Sequence, residues 1–216
     1  MYEFFNVGHT MFSLLGYPVS YMEFVGTVFG IAGVWLAAKA NILTWPVGLV
    51  NIILFFLIFY QVQLYSDMFL QIYFFLISLY GWFFWDKELH QKEPIKFLSN
   101  TWKIYLAVLC TVLTFTFGYV ISQLHNWFPI AFPKQAAYPY WDTFVAIASI
   151  IANTLLARRI IENWIIWIVV DVICIYLYFS KGIAFVALEF IVFLGLACYG
   201  AYHWHKLYLK QKKIAY

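Results

Sequence analysis

Residues 21–45, YMEFVGTVFGIAGVWLAAKANILTW, lie without a gap on residues 140–164, YWDTFVAIASIIANTLLARRIIENW. Tyr21 falls on Tyr140, Leu36 on Leu155, Ala38 on Ala157 and Trp45 on Trp164. Glu23 falls on Asp142 and Lys39 on Arg158, so the sign of charge is kept. The offset of 119 residues returns where each unit ends, because Tyr80, Gly81 and Trp85 fall on Tyr199, Gly200 and Trp204. Both units are strongly apolar. Internal repeats within a membrane protein are the usual build of a secondary transporter, with a substrate held where the repeats meet.

Composition agrees. The chain is 65% hydrophobic and 11% charged, against about 45–50% and about 25% in soluble domains. A core of 216 residues cannot hide that much apolar surface, so lipid has to solvate much of it. The 23% aromatic content fits interfacial belts and ring-lined sites. The net charge of +3 is small, and no basic stripe interleaves with exposed aromatics, which excludes a nucleic-acid partner. Cys110, Cys174 and Cys198 sit in apolar stretches without ligand-like spacing and read as packing residues. Residues 1–19 carry Glu3 and no basic start, which opposes a cleaved signal peptide and leaves a short interfacial segment as the expectation.

A span needs about 20 apolar residues. Seven segments qualify, near 20–38, 44–62, 66–85, 103–122, 141–157, 163–180 and 183–203. The fold class expected is thus all-α and polytopic. Its parts are a first three-helix repeat over 20–85, a linker with a central helix over 86–139, a second repeat over 140–205 and a basic tail over 206–216. Pro129, Pro133 and Pro139 interrupt the connection before the second repeat. With the N-terminus outside, eleven of the 13 Lys and Arg residues face inward, and only Lys134 and Lys181 face outward. That asymmetry predicts an outside N-terminus and a cytoplasmic C-terminus. A three-helix unit ends on the side opposite its start, so one extra span lets the second copy run parallel to the first. The arrangement expected is three plus one plus three.

Polar residues inside a membrane are expensive and usually face the bundle interior. Here they share helical faces: Glu23, Thr27 and Gly30; Asp67, Gln71 and Ser78; Asp142, Ser149 and Asn153; Trp164, Trp167 and Asp171. Trp45, Gly48 and Asn51 mirror the last set, and Glu189 stands opposite Gln71 in the repeat. For Glu23, Asp67 and Asp142 the plain alternative is capping or hydration at a span end. Trp45 and Trp164 have the alternative of an interfacial belt, and Gln71 and Asn51 that of interhelical glue. Asp171 is a carboxylate deep in an apolar helix with no basic residue in any span to pair it. A cationic ligand, protonation or water would satisfy it. Neighbouring tryptophans suit a flat cationic ring. His203, His205 and the basic tail read as headgroup contacts, not a metal site. Gly26, Gly30, Gly33, Pro46 and Gly48 are candidate places for close packing or bending. There is no HExxH, GxSxG or paired metal-ligand spacing, so catalytic residues, metal and cofactor are all expected to be absent. An ion channel is the rival of another class, with only scattered carboxylates in its favour.

The run NILTWPVGLVNIILFFLIFYQVQLYSDMFLQIYFFLISLYGWFFW, followed by ENWIIWIVVDVICIY and ALEFIVFL, resembles the PnuC-type vitamin transporter family. The likeness extends from about residue 20 to residue 205. It implies a SWEET-like fold in a bacterial inner membrane, a homotrimer, and a substrate held at the centre of each protomer. It also implies facilitated diffusion of nicotinamide riboside without a coupling ion, trapped by a separate cytoplasmic kinase. Family pattern puts Trp164, Trp167 and Gln71 near the ligand. Where relatives that carry nicotinamide riboside often have Asn, four residues after the second tryptophan, this chain has Asp171. Thiamine, carried by other members, has an aminopyrimidine that a carboxylate would pair.

Overall fold

A computed structural model describes residues 4–14, 16–62, 65–91, 94–130, 135–180 and 184–214. Pro133, Lys134 and Lys181 of the sequence reading lie outside the described residues. A hairpin comes first, β1 (Thr10–Leu14) and β2 (Tyr17–Ser20), where an interfacial segment was expected. Gly16 turns it at φ 81°, in the left-handed region that glycine enters without strain. Seven helices long and apolar enough to cross a membrane follow among the described residues: α1 (Tyr21–Ala38), α2 (Thr44–Gln61), α3 (Tyr65–Gln91), α4 (Asn100–Trp127), α5 (Pro139–Ala157), α6 (Glu162–Ser180) and α7 (Ala184–Ile214). Pro139 starts α5, where its missing N–H costs nothing. The basic tail expected after residue 205 is helical as far as Ile214. Its last-turn lysines meet the negative end of the helix dipole.

Glu23 serves the cap of α1. Ser20 accepts from the Glu23 backbone at 3.3 Å while the Glu23 carboxylate accepts from the Ser20 N–H at 2.7 Å and the Tyr17 hydroxyl at 2.8 Å. Burial, and then the carboxylate it bonds, push the Tyr17 hydroxyl up to about 12, so it stays a donor at ordinary pH.

The repeat reaches down to single hydrogen bonds. After α1, Ala40 takes φ 52° and after α5 Arg159 takes φ 56°; the two are counterparts in sequence. In the first turn the N–H groups of Ala40 and Asn41 donate to Ala37 and Leu36. In the second, Arg159 and Ile160 donate to Leu156 and Leu155. Both are Schellman ends, which satisfy the last helical carbonyls. The next helices also begin alike, with Trp45 donating to Ile42 and Trp164 to Ile161.

Four counterpart tryptophans join the units. Trp45 meets Trp85 edge to face at 5.3 Å, Trp164 meets Trp204 at 5.7 Å, and Trp85 meets Trp204 at 5.9 Å. All four are buried. The Trp85 indole N–H donates to the Ala157 carbonyl and that of Trp204 to the Ala37 carbonyl, each at 3.0 Å. Each unit thus reaches into the other. Gly81 and Gly200 admit the rings: a Cβ on Gly200 would stand 2.7 Å from Trp164, and one on Gly81 would overlap Trp45.

Helix α1 packs on α2 and α7, α2 on α3, α5 on α3, α4 and α6, and α6 on α7. Helix α4 is the least enclosed, with Trp102, Ile104 and Phe115 more than half exposed. Such surface is stable against lipid, and the chain is a multi-pass membrane protein. On the side where α5 turns into α6, the connection after α3 is stapled down. Lys96 bridges Arg159 and Ile161, Leu98 donates to Glu162, and Lys103 pairs with Glu162 at 2.9 Å.

Crowding Gly81 or Gly200 should be costly. Gly81→Ala and Gly200→Ala are each expected to destabilise by about 1–3 kcal/mol through overpacking, read as lower melting temperatures in detergent. Unchanged melting in both would contradict the ring-on-glycine contact.

Candidate functional site

A cavity of about 380 Å³ lies between the two units. Every helix except α4 lines it, each with one face. From α2 come Trp45, Gly48, Asn51, Ile52, Phe55 and Phe59. From α6 come Trp164, Trp167, Asp171 and Tyr178. Helix α3 adds Gln71, Phe74 and Ser78, α5 adds Asn153, and α7 adds Glu189, Phe190 and Phe193. All eight residues singled out in the sequence therefore reach one chamber: Trp45, Asn51, Gln71, Asn153, Trp164, Trp167, Asp171 and Glu189. Glu23, Asp67 and Asp142 do not line it. Phe55, Phe59 and Phe74 were not foreseen, although Phe55 and Phe59 continue the face of Gly48, Asn51 and Ile52 at helical spacing.

The polar groups differ in how they are held. Asn51 donates to the Gly26 carbonyl of α1 at 2.8 Å, so its amide ties two helices. Thr44 does the same to Gly33 at 2.9 Å. Thr27 hydrogen-bonds the Glu189 carboxylate. Asp171 is only 3% exposed and makes no hydrogen bond or ion pair among the described residues. The indole N–H groups of Trp45 and Trp164 are buried without an acceptor. Trp164 is 1% exposed and Trp45 3%, so both belong to the interior and not to an interfacial belt. No Lys, Arg or His is among the described lining residues, and the carboxyls that line the chamber are those of Asp171 and Glu189. Among the described residues no three His, Cys, Asp or Glu side chains stand close enough to hold a metal ion.

The two-fold pairing is stricter in space than the sequence polarity suggests. Asn51 and Asp171 are 120 residues apart, one off the repeat. The true counterpart of Asp171 is Ile52, and both line the chamber. Asn153 likewise answers Val34, Trp167 answers Gly48, Gln71 answers Phe190 and Ser78 answers Ala197. In four of these five pairs one member is polar and the other apolar. The polar members stand on α3, α5 and α6, helices that pack together, while the apolar ones stand on α1, α2 and α7. Within these pairs the polar member always stands on α3, α5 or α6, while Trp45 and Asn51 of α2 and Glu189 of α7 line the chamber from the other helices.

The family model described as Nicotinamide mononucleotide transporter matches residues 20–206, and the chain belongs to that family. The chain is 30% identical to the nicotinamide riboside transporter PnuC of Escherichia coli (strain K12), over 94% of each chain. It is 25% identical to the riboflavin/roseoflavin transporter RibM of Streptomyces davaonensis, over 89% of this chain and 88% of that protein. A crystal structure of the vitamin B3 transporter PnuC superposes with a TM-score of 0.67 at 23% identity, covering 88% of this chain and 83% of that one. That likeness carries the fold.

Ligand-free stability separates the tied amide from the free acid. Asn51→Leu is expected to cost about 1 kcal/mol by loss of the interhelical bond. Asp171→Leu is expected to raise the melting temperature by removing an unpartnered carboxylate from an apolar site. Thermal melts without ligand decide it, and a large loss in Asp171→Leu would mean that the carboxylate has a structural partner.

Proposed function

We propose that the chain is a facilitator for nicotinamide riboside in the bacterial inner membrane, moving it by alternating access. The observation that carries this is Asp171, buried beside Trp164 and Trp167 in a central chamber, with no partner and no basic lining residue among the described residues. A flat cationic ring answers all three: its face stacks on indole, its charge offsets the carboxylates, and its polar substituents reach Asp171, Gln71 and Asn153. Each cation–π contact contributes about 0.5–2 kcal/mol when desolvated. The substrate-binding set is Trp164, Trp167, Asp171, Gln71, Asn51, Glu189, Trp45 and Asn153. Asn51 acts through its tie to α1.

Two like-oriented three-helix units rock about this chamber, with α4 as the extra span that keeps them parallel. The counterpart turns carrying Lys39 and Arg158 favour the same, cytoplasmic side for both by the positive-inside bias, with the N-terminus outside. The cargo passes unaltered, no ion is coupled, and a separate kinase traps it inside. By family resemblance the assembly is a homotrimer with one chamber per protomer.

Thiamine is the second reading. Asp171 as a bare acceptor favours it, since an aminopyrimidine presents donors to a carboxylate. Calorimetry with nicotinamide riboside, thiamine and riboflavin side by side tests both. Trp167→Ala and Asp171→Asn are each expected to weaken whichever vitamin binds by about 10-fold, equivalent to about 1.4 kcal/mol. Full affinity in both variants would remove the site, and ionic current without saturable uptake would favour a channel.

A further inference from the structure

The repeat puts Gly48 of α2 at the place of Trp167 in α6, and both line the chamber. Trp45 and Trp164, one turn earlier, are both indoles and both buried. The repeat is thus kept at the tryptophan pair and broken one turn on, where an indole in one unit has a missing side chain as its counterpart in the other. A Cβ built on Gly48 meets nothing within 4 Å, so a side chain there enters open space. Close helix packing does not account for that space. The tight approach of α1 to α2 lies on the Gly33 side, where an added Cβ would meet the Gly48 backbone at 3.6 Å.

We propose that Gly48 is a specificity-determining residue: it leaves empty the volume that Trp167 fills in the other unit, and that gap sets the width of ring the chamber accepts. The ring lies on the Trp167 indole and extends over Gly48, with its polar edge toward Asp171 and Gln71. Width is then read at Gly48 and polarity at Asp171, from opposite walls. A bicyclic or tricyclic ring uses more of the gap than a single ring does. An alanine at 48 favours helix over glycine and clashes with nothing, so the gap is separable from folding.

This rests on the chamber being the vitamin site, and the experiment keeps the two apart. Binding of nicotinamide riboside, thiamine and riboflavin is measured by calorimetry on wild type, Gly48→Ala, Gly48→Leu and, as a control, Gly195→Leu. Gly195 also has open space around its Cβ position but is exposed and away from the chamber. Gly48→Ala is expected to keep its melting temperature and weaken the bound vitamin about 10-fold, and Gly48→Leu about 100-fold, the widest ligand suffering most. Gly195→Leu should bind as wild type does. If wild type binds none of the three, the vitamin reading fails before Gly48 is reached. If wild type binds and Gly48→Ala binds within about 2-fold, the proposal is overturned. The same holds if Gly48→Ala binds normally but takes up vitamin slowly, which would make the glycine a hinge.

Discussion

Two indole N–H groups cross between the halves in opposite directions, Trp85 to Ala157 and Trp204 to Ala37. In lipid, apolar surface gains little by exchanging hydrocarbon for hydrocarbon, so helices associate through close packing and buried hydrogen bonds. The tryptophan quartet supplies both. The rings of Trp45 and Trp164 sit on Gly81 and Gly200, and the donors of Trp85 and Trp204 satisfy carbonyls at the ends of α1 and α5. Trp45 and Trp164 belong to the quartet and also to the chamber wall. The joint between the units and the place where a ligand would sit are therefore one piece of structure. Any movement of one unit against the other has to carry these rings with it or break the crossed bonds.

A duplicated scaffold offers matching groups from both units by default. This chain departs from that by substitution within pairs. Ile52 stands against Asp171, Val34 against Asn153, Phe190 against Gln71 and Gly48 against Trp167. In four of the five pairs the polar member stands on α3, α5 or α6, and Glu189 of α7 adds a carboxyl from the other side. Polar atoms that would be costly in the interior are tied back, Asn51 to Gly26 and Thr44 to Gly33. Asp171 is left with no protein partner among the described residues, a cost that in the proposed reading a bound ligand offsets.

Much of this was legible in the sequence because lipid punishes polarity. Seven apolar runs became seven helices; α1, α2, α5 and α6 keep their expected ends within two residues, while α3, α4 and α7 run on to Gln91, Trp127 and Ile214. Asn51, Gln71, Asn153, Asp171 and Glu189 of those runs converge on one chamber, since a membrane helix has few other places to put them, while Glu23, Asp67 and Asp142 near the span ends do not reach it. The hairpin was not legible, because β1 is exposed along its whole length and shows no buried alternation to read. Nor were the roles of Trp85 and Trp204. They repeat in sequence, but nothing there says that each indole bonds the opposite unit. Asn51 and Asp171 looked like near counterparts through their shared polarity. Coordinates were needed to see Asn51 consumed by a neighbouring helix and Asp171 left without a partner among the described residues.

The most direct measurement is an experimental structure of the protein with nicotinamide riboside bound. The expected result is a ring stacked on Trp167, a polar atom of the ligand within about 3 Å of the Asp171 carboxylate, and two like-oriented halves around it. Ligand density outside the chamber, or halves inverted relative to one another, would contradict the account.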